Sequence, residues 1–383
     1  MHIGFEVIAA GSGLGEGQGG ASGYIEGLVP QLLADPRVDR LTAYVADWYK
    51  PAESWGDPKL TVRRLPVPKQ RPGRVAYEQL RLPLHARRDG IDVLFSTGNF
   101  RPLTYRAPNV LALHAVQHFL LNDDIGRVRS AYVRFAVPRS ARTADLVVAV
   151  TDALRTDAIR LFDLDPERVV SVPMGPSPWV LELLESESSV EAYRTPDGSP
   201  YVLCISRLYA LKNHKRLIEA FAMLVRERGL PHKLVIVGGD ADVTRAQLAE
   251  IAAQNGIADR VLLLGRVPQV DVPGLYAGAE AIAYVSLYET FGHPVLEAFA
   301  TGTPLITSTT GGTAEVAGGA AKLVDPRNVS DVADGLAQVL TDDALRQQLI
   351  EAGRRRVRDF SWERCARGTV DALAEALKRR AAA

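Results

Sequence analysis

The sequence predicts an α/β protein made of two doubly wound, Rossmann-like domains, and three observations predict it. Short apolar, β-branched runs alternate with longer helix-like stretches, the pattern of parallel sheets covered by helices on both faces. These runs fall into two series, separated by a stretch punctuated with proline and glycine. The chain has 383 residues, 47% of them hydrophobic, which is more than a single core usually organises.

The first series comprises residues 2–9, 41–46, 92–96, 109–114, 146–151 and 169–173. Its first run leads through a glycine-rich stretch, 11–20, to a helix expected from about Ala21. The second series comprises residues 201–206, 233–237, 261–265, 281–286, 304–308 and 321–324. Between them, Pro173-Met-Gly-Pro-Ser-Pro178 leads into an acidic stretch with Glu182, Glu185, Glu187 and Glu191, then Thr195-Pro-Asp-Gly-Ser-Pro200. This reads as a first domain over 1–175, a linker over 176–198 and a second domain over 199–359. Sheets of this kind bind ligands at the carboxyl ends of their strands, so the two domains are expected to face a central cleft. No repeat of 20 to 50 residues is visible, which sets solenoids aside.

Lysine plus arginine and aspartate plus glutamate each total 45, so no global field recruits nucleic acid. Cys204 and Cys365 lie in apolar runs without metal-ligand spacing, and read as reduced, buried thiols. The N-terminal residues lack the basic and long apolar regions of an export signal, and no run reaches the roughly 18 apolar residues of a spanning helix. The expected location is cytoplasmic, or peripheral at the inner face of a membrane. Residues 63–88 hold eight lysines or arginines and one acid, Glu78; residues 127–142 hold five arginines and no acid. The simpler reading is the solvated face of amphipathic helices; the functional one is contact with an anionic membrane or a diphosphate-linked lipid. No nucleic-acid motif accompanies the charge.

The densest chemistry follows the run 281–286. The segment Leu287-Tyr-Glu-Thr-Phe-Gly-His-Pro294 ends in a proline suited to a first helical turn, with Val295, Leu296, Glu297 and Ala298 continuing the helix. Strand, glycine turn and helix start make an anion site, so Thr290, Phe291, Gly292 and His293 are built for a phosphate. Glu289 precedes the turn and Glu297 lies about one turn into the helix, so both can face one ligand. Carboxylates accept hydrogen bonds from neighbouring hydroxyls, which ribose and hexose present. Arg207 ends the run 201–206, and Lys212 precedes a helix expected near Asn213; cations there suit a diphosphate.

The whole segment, Ser286 to Gly302 with Pro304 beyond, resembles the Glu-x7-Glu motif of the retaining GT-B glycosyltransferases of family 4 (glycosyl transferases group 1). That resemblance implies GT-B architecture, with the acceptor bound by the first domain and the nucleotide sugar by the second, Glu289 at the transferred sugar and Glu297 on the nucleotide ribose. It also places Arg207 and Lys212 on the diphosphate, and backbone around Arg266 and Val267 beside the base. Ser361-Trp362-Glu363 resembles the start of a terminal helix that returns to the first domain, covering about 360–383. Thr310-Gly-Gly-Thr-Ala-Glu315 could add amides at the phosphates. In the first domain, Gly19 and Gly20 resemble the loop that approaches the transferred sugar, and His114 stands where relatives often carry a histidine near the donor. His118 is a second choice, and the aspartate many relatives carry next to that histidine is Ala115 here.

The implied reaction moves a hexose, with mannose the leaning, from a UDP- or GDP-linked donor to a glycan, glycolipid or lipid-linked acceptor. Configuration is retained, with no catalytic metal and no cofactor. Rival readings differ in class. Gly15, Gly17 and Gly20 satisfy a dinucleotide fingerprint, with Asp47 ending the next run, but they begin too far beyond the first strand. Asp163-Leu-Asp165 and Asp240-Ala-Asp242 mimic the metal site of GT-A enzymes, but read as a turn and a helix cap. A GT-B nucleotide-sugar epimerase would change donor without acceptor, and a non-catalytic sugar-binding module would bind without forming product.

Overall fold

The computed structural model describes residues 1–8, 20–50, 55–121, 127–186 and 190–382. These form two compact units, Met1–Gly175 with Phe360–Ala383, and Pro176–Asp359. The expected class is the observed one: each unit is a parallel sheet flanked by helices. The first holds β1 (His2–Glu6), β2 (Arg40–Ala46), β3 (Leu60–Leu65), β4 (Val93–Ser96), β5 (Asn109–Leu113), β6 (Leu146–Ala149) and β7 (Val169–Ser171). The second holds β8 (Tyr201–Ile205), β9 (Lys233–Val237), β10 (Val261–Gly265), β11 (Ala281–Tyr284), β12 (Leu305–Ser308) and β13 (Lys322–Val324).

Among the described residues the strand orders are β3-β2-β1-β4-β5-β6-β7 and β10-β9-β8-β11-β12-β13. Both reverse direction at one place, between β1 and β4 and between β8 and β11. Ligands of doubly wound sheets sit outside the carboxyl ends of the strands at such a switch point. The register Ala281↔Val202 and Ile282↔Leu203 sets β11 directly against β8 there. Inner strands such as Val-Leu-Ala-Leu of β5 and Leu-Val-Val-Ala of β6 are buried throughout, as parallel strands covered on both faces must be.

One strand was not expected. β3, Leu-Thr-Val-Arg-Arg-Leu, pairs only with β2 at the sheet edge, and Leu65 alone in it is fully buried. Its arginines therefore belong to a half-solvated strand, whereas the basic stretch had read as helical. The rest of that stretch does form helices, Arg71–Leu80 and Leu82–Arg88. Residues 176–198, expected as a linker, lie in the second unit and include the helix Pro178–Ser186.

The helix Trp362–Ala382 packs within the first unit against the helix Gly20–Ala34 and strands β4, β5 and β6. Its indole occupies space that two glycines leave open: a Cβ on Gly27 or Gly175 would lie 2.2 or 2.5 Å from Trp362. No helix among the described residues is long and apolar enough to cross a membrane.

Candidate active site

Three side chains meet where β8 and β11 end. Lys212 Nζ donates to Glu289 Oε1 at 2.5 Å and to the Tyr284 hydroxyl at 3.0 Å. Lys212 and Glu289 keep only 16% and 15% of their side-chain surface exposed, so the pair is weakly screened. Burial opposes the charge on Lys212, but the adjoining Glu289 carboxylate outweighs it and holds the ammonium above its ordinary range.

Backbone geometry fixes both partners. Asn213 takes a left-handed conformation (φ 65°) and its buried amide donates to the Val285 carbonyl at 3.0 Å and the Pro326 carbonyl at 2.7 Å, tying the Lys212 turn to the ends of β11 and β13. On the other side, Gly312 N–H donates to the Glu289 carbonyl at 2.7 Å and Thr310 Oγ1 to the Leu287 carbonyl at 3.0 Å. Gly311, at φ 69°, leaves room for that carbonyl, which a Cβ would meet at 2.3 Å. The Thr310–Glu315 segment, expected to offer amides to phosphates, thus spends the Gly312 amide on holding Glu289.

Arg207 is exposed just beyond β8, its guanidinium carbon 5.1 Å from the Tyr209 ring centre. Gly292 opens the helix His293–Thr301 at φ 92°, with Pro294 in the first turn and Val295 buried. Thr290 and His293 are half-buried and Phe291 is buried. Two cations and the positive end of a helix therefore share one sheet end with Glu289. Such a group can hold a diphosphate and the charge that grows on it as a bond to it breaks.

Glu297 stands on that helix among partners the sequence did not reveal. Tyr276 donates to its Oε2 at 2.7 Å and Ser177 to its Oε1 at 3.1 Å, and the Trp179 ring lies 5.7 Å from that of Tyr276. Burial raises the Glu297 carboxyl above the ordinary range against the pull of those hydrogen bonds. Beyond β10, Arg266 is exposed and Val267 half-buried; Arg266 lies across Gly239, where a Cβ would meet its Nε at 2.7 Å. Arg207 itself follows a tight crossing, since Gly238 lets the Ser206 carbonyl approach within 1.8 Å of where a Cβ would stand.

The aspartate pairs have structural duties. Asp240 accepts from Arg245 and Asp242 accepts from the Ala210 amide at 2.9 Å, while Thr244, not either aspartate, caps the helix Arg245–Gln254. Asp163 ends one helix in left-handed geometry, and Asp165 caps the short turn Pro166–Arg168.

In the first unit Gly20 begins the helix Gly20–Ala34; Gly19, with Gly15 and Gly17 of the dinucleotide reading, lies outside the described residues. His114 follows β5 with its ring edge-on to Tyr24, 4.4 Å between centres. Asn99, left-handed at φ 64°, accepts from the amides of His114 and Ala115 at 2.7 and 3.0 Å. Ala115 and His118 line a cavity of about 670 Å³ in this unit; His114 does not.

Residues 185–356 match the family model described as glycosyl transferases group 1, and residues 19–177 match that of glycosyltransferase family 4. The chain is 29% identical over 303 residues to the O-antigen chain mannosyltransferase B of Escherichia coli, covering 76% of this chain and 77% of that protein. It is 31% identical over 249 residues to a D-inositol 3-phosphate glycosyltransferase of Xylanimonas cellulosilytica, covering 62% and 59%. Among solved structures it resembles Anabaena Alr3699/HepE in complex with UDP and glucose (TM-score 0.68, 21% identity, 97% and 99% covered). It also resembles the sucrose-phosphate synthase of Thermosynechococcus elongatus (TM-score 0.72, 18% identity, both chains fully covered). Family models of glycosyltransferases thus match both halves of the chain, each a Rossmann-like parallel sheet, and the chain belongs to the family 4, group 1, glycosyltransferases.

Proposed function

We propose that the protein transfers a hexose, mannose being the leading candidate, from a nucleoside diphosphate sugar to a hydroxyl of a glycan, glycolipid or lipid-linked acceptor, with retention and without metal or cofactor. The observation that carries this reading is the pairing of Lys212 with Glu289 at the second switch point, beside Arg207 and the Gly292 helix start. Mannose is supported by the Escherichia coli mannosyltransferase, and a uridine diphosphate by the UDP complex of the Anabaena protein; guanosine remains the other base.

In this reading Glu297 takes the ribose hydroxyls, Arg207 and Lys212 hold the diphosphate, and Glu289 positions the sugar. The acceptor oxygen bonds to the anomeric carbon as the bond from that carbon to phosphate breaks, and the acceptor proton passes to the departing phosphate. Lys212, kept charged by Glu289, stabilises that leaving group. Glu289 is then an orienting carboxylate and not a nucleophile. The location proposed is cytoplasmic, peripheral at a membrane: Leu80, Leu84 and Phe135 are exposed among the arginines of the first unit.

The test is a binding screen of UDP, GDP and their hexose conjugates, followed by product analysis with glycan and lipid-linked acceptors. Glu297→Ala should weaken donor binding, and Arg207→Ala should lower turnover as well. Unchanged transfer kinetics in both folded variants would remove the assignment, and conversion of the sugar without acceptor would make the protein an epimerase.

A further inference from the structure

The proposed reaction gives Lys212 and Glu289 duties and leaves Tyr284, the third side chain of their cluster, with none. Tyr284 ends β11, an inner strand of the second sheet, and is 4% exposed. Its backbone is held from β12: it pairs with Thr307, whose Oγ1 donates to the Tyr284 carbonyl at 2.8 Å. Its ring lies along the start of the helix His293–Thr301, since a Cβ on Gly292 would stand 3.2 Å from Cε1. A packed ring on an inner strand has little freedom, so the hydroxyl at its tip is a fixed point. Phenylalanine would fill the same space without burying a hydroxyl, so packing alone does not call for the oxygen.

What the oxygen meets is Lys212, whose Nζ donates to it at 3.0 Å and to Glu289 Oε1 at 2.5 Å. Lys212 brings its ammonium from a turn on a flexible four-carbon stem, with Nζ 5.2 Å from the Tyr284 ring centre. An ammonium carries three N–H groups. A single acceptor leaves it free to turn about its last carbon–nitrogen bond, whereas two acceptors stop the turn and fix where the third N–H points. Lys212 keeps 16% of its side-chain surface exposed, which leaves a ligand access to it. Burial and the Glu289 carboxylate raise the Tyr284 phenol above its ordinary range, against the pull of the ammonium. The hydroxyl therefore keeps its proton and orients Lys212 without cancelling its charge.

We propose that Tyr284 is a positioning residue of the transfer reaction: its hydroxyl sets the Lys212 ammonium so that the third N–H meets the terminal phosphate of the diphosphate. The proposal rests on the donor reading above. In the intact donor that phosphate is esterified by the sugar. When the bond from the anomeric carbon to the phosphate oxygen breaks, its electron pair stays on that oxygen, and the phosphate gains charge. An N–H aimed at it beforehand favours the broken bond over the intact donor, which is the condition for lowering the barrier. The free nucleoside diphosphate carries the same added charge and reports on the same contact without any reaction.

The experiment is calorimetry of UDP, UMP, GDP and GMP on the full chain and on Tyr284→Phe, which keeps the ring. Affinity for the diphosphate should fall about tenfold, the scale of one hydrogen bond to a charged group, while the monophosphate stays within about twofold. With the nucleotide sugar that the unsubstituted chain transfers, kcat should fall by a similar factor and KM should change little. A role confined to packing would instead weaken both nucleotides together and lower Tm. Tyr284→3,5-difluorotyrosine retains the hydroxyl but weakens it as an acceptor, so it should reduce the diphosphate preference by a smaller factor. That variant carries the test if Tyr284→Phe fails to fold. An unchanged preference for diphosphate over monophosphate in Tyr284→Phe, or in the fluorinated variant where it alone folds, overturns the proposal, as does a parallel loss of both nucleotides. If the unsubstituted chain binds neither diphosphate, the donor reading falls and the proposal with it. If it binds them and the Tyr284 variants match it, the donor reading stands and the positioning role does not.

Discussion

Single side chains at the second switch point have distinct surroundings, so the duties proposed for them are separable. Glu289→Gln removes the charge that keeps Lys212 in place and should lower kcat by about a hundredfold, the scale of losing one preorganised electrostatic partner. Steady-state kinetics at saturating donor checks it. Glu297 has a raised carboxyl, so its two pH effects run in opposite directions. It contributes stability at low pH that is lost as pH rises through its folded-state value, whereas the proposed ribose contact needs the carboxylate. Donor affinity should therefore weaken on acidification already above the ordinary glutamate range, and Glu297→Gln should bind weakly with a flat pH profile in calorimetry. His214, buried beside Lys212 with Nε2 3.0 Å from Ser206 Oγ, is pushed down to about 4 by burial and by that ammonium. Its folded-state value is depressed, so the stability it contributes is full above about 6.5 and is lost as pH falls toward 4, by up to about 3 kcal/mol. His214→Asn should flatten that part of a denaturant-midpoint series. Glu289, Glu297, Arg207 and Lys212 were visible in the sequence because strand ends and turn residues mark them. Tyr284, Tyr276, Ser177 and Asn213 were not, since their partners are 21 to 120 positions away and only the fold brings them together.

Turns between elements hold this arrangement, and they are where small substitutions should have large effects. Gly311→Ala places a Cβ 2.3 Å from the Glu289 carbonyl in left-handed backbone, so the loop must move. A loss of about 1–3 kcal/mol in stability is expected, with a fall in kcat larger than that loss explains; denaturation and kinetics on one preparation separate the two. Gly27→Ala drives a Cβ to 2.2 Å from Trp362 and should lower the melting temperature with donor affinity unchanged. The inner strands were legible because burial on both faces makes them uniformly apolar. Edge strand β3 was not, since half its side chains face water and it reads as polar. The helix Pro178–Ser186 was hidden by prolines that also mark a linker, and Ser177 just before it donates to Glu297.

At the scale of the whole molecule, two parallel sheets each reverse their strand order once. Hydrogen exchange with saturating UDP or GDP should show added protection near residues 205–215, 261–267 and 284–315 of the second unit, and unchanged exchange in β5 and β6. Alternation of strand and helix made the architecture readable, whereas the first-unit cavity was not, because its lining comes from four separate segments. The helix Trp362–Ala382 adds a consequence for biosynthesis. The first unit needs residues 360–383, yet 176–359 build the second, so on the ribosome the second unit can finish folding before the first is complete. At ordinary elongation rates the wait between residues 175 and 360 is roughly 10–40 s. During that interval the faces that will receive Trp362 are uncovered, which makes the nascent first unit a client for chaperones.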